Sequence, residues 1–250
     1  MIEFSVEQIE ANHKRFFQII EDTFDGTRKE KILKMYEHFG DRLVYSPASS
    51  FGYFHLSCIG GYIQHVLNVI DTSKKVKVMY EDMGGTIDFT NEELIFAAMH
   101  HDLGKLGDLE HEFYVVEDRE WQKNTQNRLF NLNPNLKFME ISDRTFFLLQ
   151  HFDIKYTENE MLGIRLADGV FAETNKPYYM VFGKDKQFRT NIQHVVHWGD
   201  WMATRMEVDR WNRNEKVIVD NEKLAVKKIA KPTPKTATPQ VKTLMELFDE

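Results

Sequence analysis

Apolar positions recur along most of the chain at the three- and four-residue spacing of helices that bury one face. "VEQIEANHKRFFQII" follows Ser5, and Ser5 with Gln8 fits a capping box; Thr27 with Glu30 marks a second helix that stops at Gly40. Between paired glycines, "GGYIQHVLNVIDTSKKVKVMYEDMGG" carries Ile63, Val66, Val69 and Ile70 at helical spacing. Thr90 and Glu93 open "LIFAAMHHDLGK", Ser142 or Asp143 opens "RTFFLLQHF", and Thr157 with Glu160 opens "NEMLGIRLADG". The long segment "TNIQHVVHWGDWMATRMEVDRW" closes this series.

Two stretches break the helical pattern. From Glu112 to Asn135, "EFYVVED" alternates loosely before an Asn- and Gln-rich run, which predicts a short β-hairpin or a long loop. From Asp168 to Gln187 the chain is irregular and holds Pro177. After the last helix the composition changes. Lys223, Lys227, Lys228, Lys231, Lys235 and Lys242 occur with Pro232, Pro234 and Pro239 and no acidic residue, the pattern of a mobile tether. The expected fold is therefore all-α, a helical bundle with a short hairpin or loop insertion and a disordered C-terminal tail. The expected organisation is N-terminal helices over 1–46, a main domain over 47–221, a linker over 222–241 and a terminal peptide over 242–250.

Composition narrows the function. No stretch of the 250 residues approaches the roughly 20 apolar residues of a membrane span. The N-terminus has neither the basic flank nor the apolar core of a signal peptide, so an intracellular, cytoplasmic location is expected. A single cysteine, Cys58, excludes a disulfide scaffold and a Cys-built zinc site within the chain. The net charge of −7 argues against a surface devoted to duplex backbones.

The chemistry concentrates in "AAMHHDLGK", where His101 and Asp102 sit at the end of an apolar helix and Lys105 follows. An imidazole and a carboxylate at a helix end can reach one ion from two directions, and a lysine there can meet a phosphate as a point charge. His65 lies on an otherwise apolar helix, and Asp200 sits amid Val, Trp, Met and Ala, where a carboxylate is costly unless paired or bound to metal. Each has a plainer reading when taken alone: a polar helix end for the His-Asp pair, a hydrogen-bonded core histidine for His65. His197, one turn before Asp200, is a ligand candidate or a group that orients one.

In order, "PASSFGYFHLSCIGGYIQHVLNV", "AAMHHDLGK" and "HVVHWGDWMAT" resemble the HD superfamily of metal-dependent phosphohydrolases, chiefly the branch with HD-type 3′–5′ exoribonucleases and relaxase-associated HD domains. The resemblance runs from about Pro47 to about Thr204. It implies an HD-type helical bundle holding a divalent ion, with His65, His101, Asp102 and Asp200 as ligands. It also implies Lys105 as a phosphate contact and His55 near substrate or metal. Where a related pattern places two further histidines, this chain has Ile141 and Ala167, which argues for one ion per chain rather than two. Asp168 and His151 are weaker candidates, Asp168 also reading as a helix C-terminal turn; His100 in this type of motif usually packs or orients, only His101 being aligned with the ligand. The donor set suits Mn2+, Fe2+, Co2+, Ni2+, Zn2+ or Mg2+.

The implied reaction is hydrolysis of a phosphate ester or anhydride of a nucleotide or of a nucleic-acid end. Lys105 and Arg165 would stabilise developing charge, and Asp102 would orient or deprotonate water. Trp121, Arg128, Tyr178, Tyr179 and Lys184 bring aromatic and basic groups that suit a base and a phosphate. The run "ADGVFAETNKPY" is similar to phage-encoded HD proteins, which would make the location a bacterial host cytoplasm. "VKTLMELFDE", with Leu244, Leu247 and Phe248, resembles the terminal peptides by which phage replication proteins engage a sliding clamp. The two missing histidines leave a second expectation open: a non-catalytic module that holds a nucleotide or metal and joins a replication complex through its tail.

Overall fold

A computed structural model describes residues 4–52, 54–180 and 183–213. The linker 222–241 and the peptide bearing Leu244, Leu247 and Phe248 lie outside the described residues. Among the described residues the fold is all-helical apart from one two-stranded hairpin. In chain order the elements are α1 (Val6–Thr23), α2 (Gly26–Phe39), α3 (Asp41–Tyr45), α4 (Gly61–Asp82), α5 (Asn91–His100), β1 (Tyr114–Val116), α6 (Glu120–Gln126), β2 (Phe130–Leu132), α7 (Ile141–His151), α8 (Glu158–Arg165), α9 (Lys176–Tyr179) and α10 (Ile192–Asn212). A short 3-10 turn, Leu103–Leu106, follows α5. No helix among the described residues is long and apolar enough to cross a membrane.

Reciprocal capping boxes start α1 at Ser5/Gln8, α5 at Thr90/Glu93 and α8 at Thr157/Glu160, as their sequences predict. Two starts differ. Helix α2 is capped by Asp25 in extended backbone rather than by Thr27, which sits inside the first turn. Helix α7 begins after Glu140, ahead of Ser142 and Asp143.

The expected hairpin pairs Tyr114 with Leu132, Val115 with Asn131 and Val116 with Phe130, antiparallel. Its connection contains α6, a helix that the Asn- and Gln-rich run does not announce. Glu117 anchors the turn: its carboxylate accepts from the Arg119 backbone and guanidinium and from Asn131 Nδ2 at 2.7–3.2 Å. Among its described residues the irregular stretch 168–187 holds three 3-10 turns, Gly169–Phe171, Glu173–Asn175 and Lys184–Lys186, and the single turn of α9.

Helix α4 is the axis of the body, packed by α10, α5, α1 and α3. It buries Tyr62, Ile63, Val66, Leu67, Val69 and Ile70 on more than one side. Helix α5 is buried continuously from Leu94 to His100, the signature of a helix enclosed by others. Phe16 and Ile20 of α1 and Ile32, Met35 and Tyr36 of α2 belong to this same core. The N-terminal helices are also tied by polar contacts, Asn12 to Gln64 at 2.8 Å, Arg15 to Asp71 and Arg28 to the buried Glu160 at 2.6 Å.

Candidate metal centre

The loop before α4 sets the first ligand candidate. Gly61 is required there because a methyl group on it would lie 2.1 Å from the Leu56 carbonyl oxygen. The closeness lets Ala48 N donate to Leu56 O (3.1 Å) and Tyr62 N to Ser46 O (3.0 Å), folding "PASSFGYFHLSCIGG" against the helix start. That fold brings the His55 ring to 4.6 Å from the ring of His65, one turn into α4.

Three helices then converge. His65 Nε2 lies 3.2 Å from Asp200 Oδ1 of α10 and 3.6 Å from Asp102 Oδ2. His101 Nε2, at the end of α5, lies 3.4 Å from Asp102 Oδ2 and 3.7 Å from Asp200 Oδ1. His65, His101 and Asp102 are buried. Both imidazoles are turned by acceptors behind them. His101 Nδ1–H donates to the Ala98 carbonyl at 2.8 Å, and His65 Nδ1–H donates to the Glu207 carboxylate at 3.1 and 3.2 Å. Since those partners only accept, each ring is held with Nε2 facing the centre. Asn68 fixes Glu207 in turn with a bond of 2.7 Å.

This donor set fits a divalent cation. His101 Nε2 is buried and makes no hydrogen bond, and the two carboxylates supply the charge that an ion would offset. Burial opposes protonation of His65, yet Glu207 and Asp200 raise its imidazole to about 10. Against the same burial, Asp102 and Asp200 raise His101. Asp102 is held well below the carboxylate range by Lys105, His101 and His65, which overcome its own burial. Asp200 is lowered against burial by His65 and His101. Both shifts favour the cationic rings in the absence of a metal, so a divalent cation at Nε2 would compete with protons.

The centre opens into a cleft of about 190 Å3. Lys105 lines it, with Nζ donating to Asp102 Oδ2 (2.7 Å) and to Ala48 O (3.0 Å). His55 lines it as a neutral ring, held well below the usual imidazole range by burial and by the nearby His65 and Lys105. Asp168 faces it too, raised by burial and by Asp102 and Asp200. His197 stands on the wall with Nδ1–H donating to Ala167 O at 2.6 Å.

Several expected site residues are elsewhere. His100 turns into the core, its Nδ1–H bonded to Phe96 O at 2.7 Å and its ring stacked on Tyr36. Arg165 does not line the cleft; it holds Asn175 Oδ1 at 2.7 Å, because its place at the end of α8 points it at the following turns. His151 lies at the exposed end of α7 between Phe147 and Phe152. Trp121 is 63% exposed on α6, and Arg128 lies over the Phe51 ring at 5.4 Å. Tyr178 and Tyr179 line a separate hollow, and Lys184 is on an exposed turn.

Other residues of the site were not anticipated. Glu207 and Asn68 lie two turns beyond Asp200 and one beyond His65, spacings that place them on the same helix faces. Trp201, Thr204 and Arg205 line the cleft from the α10 face that carries Asp200, and Phe171 lines it from the turn after Asp168. No protein-family model matches the chain, and no curated protein or solved structure matches it either.

Proposed function

We propose that the chain is a divalent-metal-dependent phosphohydrolase of the HD type, acting on a phosphate ester or anhydride of a nucleotide or nucleic-acid end. The observation that carries this reading is the convergence of His65, His101, Asp102 and Asp200, with Nε2-to-carboxylate distances of 3.2–3.7 Å, beside a lysine in an open cleft. These four residues would hold the ion, one per chain. A divalent cation there supplies Lewis acidity toward a phosphoryl oxygen and lowers the pKa of water. Lys105 places a positive charge beside Asp102 where phosphate charge develops, and Arg205 brings a second from the cleft wall. Asp102, kept ionised by Lys105, orients an attacking water. His55 and His197 line the substrate side.

Metal analysis of the purified chain, followed by phosphate release from mono-, di- and triphosphates and short oligonucleotides with Mn2+, tests the proposal. Bound metal and EDTA-sensitive turnover are expected, with Asp102→Ala lowering turnover by more than about 100-fold. Full turnover in that variant on every substrate would overturn the mechanism. Ile141 and Ala167 at the two histidine positions favour a second reading, a binding module without catalysis. Bound nucleotide with no turnover would select it.

A further inference from the structure

A second hollow, of about 540 Å3, opens beside the metal cleft. One side is aromatic. The rings of Tyr178 and Phe188 are within 10° of parallel with centroids 6.3 Å apart, and Tyr179 lies 5.6 Å from Phe188 and 6.0 Å from His194. Arg189 and Asp88 also line the hollow. Asp88 Oδ1 is already engaged, accepting from Thr190 Oγ1 (3.1 Å) and Asn191 N (3.0 Å). Arg189 is different: among the described residues no carboxylate pairs with its exposed side chain, and its φ of +58° is left-handed, a conformation that disfavours a side chain.

The hollow shares a wall with the metal cleft. The Tyr179 ring is 6.4 Å from the ring of His197, which lines the cleft. Neighbouring carbonyls pin both side chains, since Tyr179 Oη donates to Leu166 O at 3.2 Å and His197 Nδ1–H to Ala167 O at 2.6 Å. A ligand that enters the cleft by a phosphate can therefore reach the hollow across one fixed wall.

We infer that this hollow is a base-binding subsite for the nucleotide next to the one whose phosphate enters the metal cleft, so that this face takes a single-stranded oligonucleotide end in preference to a free mononucleotide. The inference rests on the reading of the cleft as a phosphate site. An aromatic platform accepts the π-face of any base, and an unpaired arginine beside it meets the linking phosphate. A quaternary ammonium ligand also suits aromatic rings, but it would want a free carboxylate and no cation; here the carboxylate is engaged and the arginine is unpaired.

The test is fluorescence anisotropy of a labelled tetra-deoxythymidylate in excess EDTA, which removes turnover from the readout, with thymidine monophosphate and choline as competitors. The tetranucleotide is expected to bind at least about ten-fold tighter than the mononucleotide. Tyr178→Ala weakens it roughly five- to fifty-fold, whereas Tyr178→Phe keeps the platform and most of the affinity. Arg189→Ala weakens it and reduces the salt dependence by about one counterion. Equal affinity for mono- and tetranucleotide, indifference to Tyr178→Ala and Arg189→Ala, or displacement by choline would each overturn the subsite. Because binding is read without metal, the two proposals fail separately. Tyr178-dependent binding in a chain without metal or turnover would sink the hydrolase alone, and Tyr178-independent binding in an active enzyme would sink the subsite alone.

Discussion

The two ring nitrogens of His65 do different work, and Glu207 is what separates them. Its carboxylate accepts from Nδ1–H at 3.1 Å and leaves Nε2 aimed at Asp200 and Asp102. A carboxylate behind a ligating imidazole fixes ring orientation and raises its basicity, and its loss costs about 10–100-fold in metal affinity. Glu207→Gln, which keeps the shape and the bond from Asn68 within reach, is expected to weaken metal binding by that factor in chelator competition; unchanged affinity would show that Glu207 does not orient the ligand. The four ligand candidates were legible together only through the resemblance of three segments in order; taken singly, His65 reads as a core histidine, and only Asp200, a carboxylate amid Val, Trp, Met and Ala, demands a partner. Glu207 was not legible, since "TRMEVDRW" reads as a solvated charged face until α4 covers it. His100 packs, as the resemblance implies for the histidine before the ligand. Its neighbour His101 has the same chemistry, and only the rotation of the last turn of α5 sends one ring to the core and the other to the cleft.

Helices α4 and α10 run antiparallel, pairing His65 with Glu207 at one end and Ser73 with Gly199 further along. Gly199 lets them approach: a methyl group there would lie 2.0 Å from Ser73 Oγ and 2.9 Å from its Cα. Because Asp200 is the next residue, helix separation and ligand spacing are one quantity. Gly199→Ala is expected to destabilise the fold by about 1–3 kcal/mol in denaturant unfolding and to weaken metal binding in the same sample. Adding Ser73→Gly removes the clash with Oγ but not the approach to Cα, so rescue is partial; an unperturbed Gly199→Ala protein would mean the helices have slack. At this scale the sequence was readable where signals were reciprocal. The boxes at Ser5/Gln8, Thr90/Glu93 and Thr157/Glu160 each place two side chains on each other's backbone. It was unreadable where the cap makes no side-chain bond, at Asp25 and Glu140, or where α6 rests on local turns without a buried residue.

Taken as a whole, the body encloses a neutral histidine at its centre, and this makes its stability depend on acid. Burial, helped by Arg28 and His101, pushes His100 down to about 3 despite its bond to the Phe96 carbonyl. In the unfolded chain the same ring titrates near 6.5. Between those values the unfolded state binds a proton that the folded state refuses, so stability is fully present above about 6.5 and is lost as pH falls toward 3. A cation beside His101 would repel a proton on His100 and act in the same direction, so the sign holds for loaded and metal-free protein alike. Urea unfolding from pH 7 to pH 4 should show stability falling, with His100 supplying up to one proton, about 1.4 kcal/mol per pH unit. In His100→Leu the absolute stability shifts because the bond to Phe96 is gone, but the slope is the informative quantity: it is expected to flatten by that one proton. An identical slope in wild type and variant would mean that His100 charges without unfolding the core, and the acid response would then belong to other groups, His55 foremost, whose imidazole is also held low by burial.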